Sequence, residues 1–113
     1  MRLINKTRQV VISEKVTVAN TFFSRLVGLL ATPHLDKNQA LLLKPAQSIH
    51  TFFMCYPIDI MFVDKYNRVI AIYACLKPWR LTRFHFAAYA VEFSCGRIKS
   101  TNTSLGDIIE IEE

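Results

Sequence analysis

Three ionisable side chains of this sequence stand inside apolar stretches, where such a group usually needs a specific partner. His50 lies in SIHTFFM, Asp59 lies in PIDIMFVD, and Glu92 lies in AAYAVEFS. A histidine within hydrogen-bond reach of a carboxylate can transfer protons in acid–base catalysis. One hypothesis is therefore an enzyme that uses His50 together with Asp59 or Glu92.

The sequence offers no recognised nucleophile or metal-binding motif to strengthen that hypothesis. Ser48 and Cys55 lie beside the central stretch, but no G-x-S-x-G motif occurs and neither residue begins a predicted helix. The three histidines fall in different predicted elements, without the short ligand spacing of a zinc site. We therefore assign no catalytic residue, no metal ligand and no cofactor from the sequence, and enzymatic activity is the less favoured class.

Asp59 also has a structural interpretation. Arg25 interrupts an apolar helical stretch much as Asp59 interrupts an apolar strand, and a buried carboxylate is costly unless it is paired. We predict a structural ion pair between Arg25 and Asp59, with Arg80 as the second choice of partner. The alternative is that Asp59 accepts backbone amides of the turn at 56–57.

Residues 77–86, KPWRLTRFHF, form the one cluster that combines cations with aromatic rings. Pro78 stiffens the approach to the adjacent aromatic and cationic side chains. We predict a ligand-binding site formed by His50, Trp79, Arg80 and Arg83. An anionic small molecule or a protein partner is the favoured ligand. Nucleic-acid binding through residues 77–86 is an alternative, because such mixtures stack bases and hold phosphates.

Length and composition predict one folded domain over residues 1–113. The chain has a hydrophobic fraction of 51% and a formal charge of +5. Its three cysteines are odd in number and include no C-x-x-C, so we expect reduced thiols and no disulfide. No stretch has the pattern of a signal peptide or the length of a membrane span, and we expect a cytoplasmic location.

The periodicity of apolar residues predicts an α+β fold that is mostly β. We expect about seven short strands: one or two in residues 9–18, and one each in residues 40–44, 48–54, 58–63, 68–76, 87–94 and 107–112. The main helix is predicted at about 20–31, and a short helical turn near 97–100. Short strands with few long loops favour a small barrel or a rolled antiparallel sheet that is capped by this helix.

Several short motifs, in their order and spacing, resemble a small prokaryotic family known as domain-of-unknown-function family 192. The matching motifs are RLVGLL (25–30), HTFFM (50–54), PIDIMFVD (57–64), KPWR (77–80), AVEF (90–93), CG (95–96) and LGD (105–107). Two departures from the family pattern are GLL in the helix and the QALLLKP strand that follows it. The resemblance implies a compact β-rich fold with a helix across it, and it implies no activity.

Overall fold

The computed structural model describes residues 1–19, 35–52 and 54–113. The helix predicted at about 20–31, and Arg25 within it, lie outside the described residues. Within them the chain forms eight strands and one short helix, in the order β1 (Arg2–Asn5), β2 (Val10–Ser13), β3 (Lys15–Ala19), β4 (Gln39–Leu43), β5 (Ile58–Val63), β6 (Val69–Leu76), β7 (Tyr89–Ser94), α1 (Arg97–Ser100) and β8 (Ile109–Glu112).

The strands form two sheets. The smaller sheet has the antiparallel order β2-β1-β8, and the larger has the order β3-β4-β7-β5-β6. In the larger sheet β3 and β4 run parallel, while the other neighbours are antiparallel. The prediction of a mostly β fold is confirmed, but the described strands do not close into a barrel. The pair of β3 and β4 is parallel, which the prediction of an antiparallel sheet did not include.

Strand β5 lies at the centre of the core. Its six residues are all buried, because apolar clusters cover both faces of the larger sheet. One cluster, which includes Met61 and Phe93, fills the space between the two sheets with Leu3 and Ile109. The other, which includes Ile60, packs on the opposite face. A strand covered on both faces appears in the sequence as a continuous apolar run, as the IDIMFV stretch does.

Two local predictions have different outcomes, and one strand was not predicted. The helical turn near 97–100 is confirmed by α1. The strand predicted at 48–54 is wrong in the described part of that range, where the only pairing is an isolated bridge between His50 and Leu81. The physical reason is that this segment uses its backbone hydrogen bonds on the loop after β6. Strand β1 has no counterpart among the predicted strands.

In the parts of the chain that the structure describes, no helix is long and apolar enough to cross a membrane.

Candidate binding surface

The loop after β6 is held in place by Thr51. Thr51 is fully buried, and four hydrogen bonds of 2.7–3.0 Å join it to this loop. Its backbone exchanges hydrogen bonds with Trp79 and Arg80, since it donates N–H to the Arg80 carbonyl and accepts the Trp79 N–H. Its hydroxyl donates to the Lys77 carbonyl and accepts the Arg80 N–H. The loop therefore has a fixed backbone at the point where its aromatic and cationic side chains emerge.

Three aromatic rings stack beside this anchor. The His50 and Phe52 rings lie 4.8 Å apart, and the Phe52 and Trp79 rings lie 5.9 Å apart, with small interplanar angles. Phe52 is 37% exposed and Trp79 is 57% exposed. Trp79 has a φ of +63°, a left-handed conformation that a bulky residue adopts only where its surroundings impose it. The Trp79 and Arg80 N–H groups both donate to Thr51, and these hydrogen bonds hold the backbone on either side of Trp79 in place.

Arg80 places a cation next to the stack. Its guanidinium donates to the Pro78 and Trp79 carbonyls, at 3.3 and 3.5 Å, and the residue is exposed. Arg83 is also exposed, but its backbone N–H donates to the Tyr73 hydroxyl at 3.1 Å, so it is anchored at a different point of the loop. The structure thus gathers His50, Trp79 and Arg80 and sets Arg83 further along the same segment.

Apolar exposure continues along the rest of the loop. Leu81 is 67% exposed, and the Phe84 and Phe86 rings meet edge to face with centroids 5.1 Å apart. Phe86 also borders an open cleft of about 370 Å³, whose other lining residues are Gln47, Asp64, Lys65, Tyr66, Ala87 and Ala88. We call the exposed residues Phe52, Lys77, Trp79, Arg80, Leu81, Arg83, Phe84 and Phe86 the rim.

His85, within the same segment, points away from solvent. Its Nε2 lies 2.8 Å from the Tyr73 hydroxyl, and its ring packs 4.6 Å from Phe62. Burial, followed by the positive charge of Arg83, lowers the pKa of this imidazole. The Tyr73 hydroxyl accepts the Arg83 N–H and can then donate to a neutral His85. His85 therefore helps to fix the loop.

Asp59 is 1% exposed and is satisfied by two backbone amides. Its Oδ1 accepts the Cys75 N–H at 2.8 Å, and its Oδ2 accepts the Ile98 N–H at 3.0 Å. These amides belong to β6 and α1, not to the turn at 56–57 that the sequence suggested. The ion pair with Arg25 stays a prediction, because Arg25 lies outside the described residues.

Asp59 and Glu92 occupy opposite faces of the larger sheet. Asp59 pairs across the sheet with Phe93, while Glu92 pairs with Ile60, so the alternation of side chains separates the two carboxyl groups. Glu92 is fully buried on the face that also carries Tyr56. Burial, and then the charge of Glu92, raises the pKa of the Tyr56 hydroxyl. A single polar patch that combines Asp59 with Glu92 is therefore not formed.

The expectation that the cysteines carry no disulfide is wrong. Cys75 and Cys95 form a disulfide, with Cα atoms 4.7 Å apart, while Cys55 keeps an exposed free thiol. The pairing became possible because a bulge in β6 turns Cys75, at φ +48°, towards the chain that leaves β7. No short sequence spacing signals such a pairing. Disulfides are typical of oxidising compartments, so the cytoplasmic location stays a prediction.

Sequence reasoning found the cations and Trp79 but missed the residues that organise them. Thr51 and Thr82 were not singled out, although Thr82 forms a second anchor by exchanging hydrogen bonds with Ile49. Both threonines are buried polar residues, and each lies within two positions of an exposed aromatic residue, Phe52 and Phe84. A single threonine close to phenylalanine in HTFF (50–53) and LTRF (81–84) was the available signal.

Comparison with known proteins agrees with the fold. The chain is 37% identical to a UPF0127 protein of Thermococcus sibiricus, over 98% of this chain and 76% of that protein. It is 30% identical to a UPF0127 protein of Pyrococcus abyssi, over 96% and 95% of the two chains. A crystal structure of a protein of unknown function from Novosphingobium aromaticivorans DSM 12444 superposes with a TM-score of 0.79 at 19% identity, covering 98% of this chain and 84% of that one.

The family comparison covers almost the whole chain. A family model described as DUF192, Uncharacterized ACR, matches residues 3–111. The match includes both sheets, α1 and the rim, and the motif-based resemblance seen in the sequence is thereby confirmed. The chain belongs to the DUF192 family.

Proposed function

We propose that the protein is a binding module whose rim docks a segment of a partner protein that carries acidic and apolar side chains. The observation that carries this proposal is the outward-facing stack of His50, Phe52 and Trp79 beside Arg80, fixed by buried Thr51. Exposed aromatic residues and arginine are the side chains enriched at protein interfaces. A rigid backbone lowers the entropy cost of binding.

The charge of the rim favours an acidic partner. Residues 77–86, which carry most of the rim, contain three lysines and arginines and no aspartate or glutamate. Lys77, Arg80 and Arg83 are all exposed. A partner carboxylate near Arg80 would meet no competing acidic residue from this stretch of the chain. Such complementarity selects partners and speeds association.

The apolar content of the rim favours a protein over a small anion. Leu81, Phe84 and Phe86 are 67%, 57% and 86% exposed, which is a larger apolar area than a small anion could cover. The cleft beside Phe86 has room for an apolar side chain. A protein segment is therefore the favoured ligand. An experiment must distinguish it from the two competing ligand classes, which are anionic small molecules and single-stranded nucleic acid.

The test is a titration followed through Trp79, the single tryptophan of the chain. Three titrants separate the ligand classes: a synthetic peptide alternating glutamate with leucine and phenylalanine, a single-stranded oligonucleotide, and nucleotides. We expect saturable binding of the peptide, and no binding of the same peptide with lysine in place of glutamate. Binding of the oligonucleotide alone, with a steep loss at high salt, would replace this proposal with nucleic-acid recognition. Binding of nucleotides alone would replace it with a small-anion site.

The acid–base enzyme is the less supported function. Asp59 is engaged by two backbone amides on the face opposite Glu92, so at most one of the two carboxylates can serve His50. His50 stacks on Phe52, and its Nδ1 accepts the Phe52 N–H at 3.3 Å. These contacts suit a ring that supports the aromatic stack.

A further inference from the structure

Three potential metal ligands meet at one end of the larger sheet. Asp59 of β5, Cys75 of β6 and Cys95, directly after β7, come from three separate strands or strand ends. One carboxylate oxygen and the two sulfur atoms all lie within 4.8 Å of one another. Asp59 and Cys75 are 16 positions apart in sequence, and Cys75 and Cys95 are 20 apart. A short ligand motif therefore does not predict this cluster. The disulfide is the oxidised state of this group of donors.

The surroundings fix these donors in place. The amides of Cys75 and Ile98 hold both oxygens of Asp59, and a carboxylate still has lone pairs available after accepting two hydrogen bonds. Gly96, at φ +90°, turns the chain from Cys95 into α1. Asp59 is buried, Cys75 is half-buried and Cys95 is exposed, so the cluster is open to solvent on the sulfur side.

We propose that Asp59, Cys75 and Cys95 form a redox-controlled metal site. In the reduced protein the two thiolates and one Asp59 oxygen bind a thiophilic divalent cation of the Zn²⁺ class. In the oxidised protein the disulfide removes both sulfur ligands. Two thiolates and a carboxylate give three ligands of a tetrahedral site, with water in the fourth position. With Zn–S bonds of about 2.3 Å the sulfurs would stand about 3.8 Å apart, which side-chain rotation can provide.

The chemistry balances with a dithiol as the reductant. A reduced dithiol attacks the Cys75–Cys95 disulfide, gives two electrons and two protons to the pair, and leaves as its own disulfide. The divalent cation then binds both sulfur atoms as thiolates, and two protons are released. Oxidation of the bound thiolates by a disulfide would expel the cation. Metal occupancy would therefore report the redox state of the surroundings.

The experiment uses the full chain with Cys55→Ser, which removes the exposed third thiol. The protein is reduced without oxygen and titrated with Co²⁺, whose spectrum reports both thiolate ligation and tetrahedral geometry. We expect thiolate-to-cobalt charge-transfer bands with one equivalent of Co²⁺, displaced by one equivalent of Zn²⁺. The oxidised form of the same chain is the control and needs no further substitution. It should show no thiolate-to-cobalt charge-transfer bands.

Ligand variants complete the test. Cys75→Ser and Cys95→Ser should each abolish the charge-transfer bands of two-thiolate ligation, and circular dichroism checks that each variant is folded. Asp59→Asn should weaken Co²⁺ binding by at least about tenfold, the loss seen when even an outer partner of a metal ligand is removed. If the reduced chain gives no cobalt–thiolate bands, or if Cys95→Ser keeps them unchanged, the proposal is wrong.

Discussion

At the scale of single residues, the buried carboxylate of Asp59 is explained by the amides that surround it. A charged group in a covered strand is costly unless hydrogen bonds replace its water. Cys75 and Ile98 supply these hydrogen bonds, and they tie β5 to β6 and to α1. Asp59 thus links three elements at the end of the sheet where the disulfide also lies.

We predict that Asp59→Ala lowers the free energy of unfolding by about 2–6 kcal/mol, since the Cys75 and Ile98 amides both lose their acceptor and each such loss costs about 1–3 kcal/mol. Denaturant unfolding of the oxidised protein measures the change. Glu110→Ala is the matched control, because Glu110 is an exposed carboxylate on β8 and its loss should change stability by less than about 0.5 kcal/mol. Equal stability of the Asp59 variant and the wild type would show that the two amides do not need this acceptor.

His85 gives a prediction about pH. Burial lowers the pKa of its imidazole in the folded state, so the unfolded chain binds this proton first as the pH falls. Its contribution to stability is present above the ordinary histidine pKa of about 6.5 and is lost as the pH falls through the lower, folded-state pKa. Melting temperature against pH measures this. In His85→Gln, the melting temperature should depend less steeply on pH below about pH 6.5 than it does in the wild type. In His50→Gln, which is the control, the contribution of His85 should remain. An unchanged slope in His85→Gln would contradict the assignment.

At the scale of elements, the rim depends on one loop, and the loop depends on Thr51. A loop of exposed aromatic residues would ordinarily be mobile. Here the hydroxyl and both backbone groups of Thr51 bind residues 77–80, and Thr82 repeats the arrangement at Ile49. The left-handed Trp79 lies within this anchored segment.

We predict that Thr51→Val destabilises the protein by about 1–3 kcal/mol, because valine keeps the shape of this fully buried side chain but leaves the part-buried Arg80 N–H without its acceptor and the Lys77 carbonyl without its donor. The same change should release the indole. Fluorescence anisotropy of Trp79 should fall, and binding by the rim should weaken more than stability alone explains. Thr17→Val on β3, whose residue 17 is exposed, is the control for a threonine-to-valine change. Unchanged anisotropy in Thr51→Val would mean that other contacts hold the loop.

At the scale of the whole molecule, the sequence predicted the strands well and their assembly less well. The apolar run at 58–63 matches β5 to the residue, and Val69–Leu76 and Tyr89–Ser94 fall inside predicted strands. Strand partners depend on contacts between distant residues, which periodicity does not contain. The two sheets and the parallel pair were therefore not predicted.

The candidate site divides in the same way. Trp79 and Arg80 could be identified as candidates from the sequence, because aromatic and cationic residues follow one another closely in residues 77–86. The disulfide and the separation of Asp59 from Glu92 could not, because each depends on how β5, β6 and β7 are aligned. A bulge in β6 decides where Cys75 points, and no local pattern predicts that bulge.

The measurement that tests the central claim most directly is a charge reversal within the rim. Wild type, Arg80→Glu and Lys99→Glu are titrated with the acidic-apolar peptide, and Trp79 emission is followed. Both variants replace a cation with glutamate and therefore change the net charge equally. They differ in position, because Arg80 lies beside the stack whereas Lys99 is exposed on α1. We predict that Arg80→Glu weakens binding by at least about tenfold, as for an interface hot spot, and that Lys99→Glu binds nearly as wild type does. Equal effects of the two variants, or no binding by the wild type, would contradict the account.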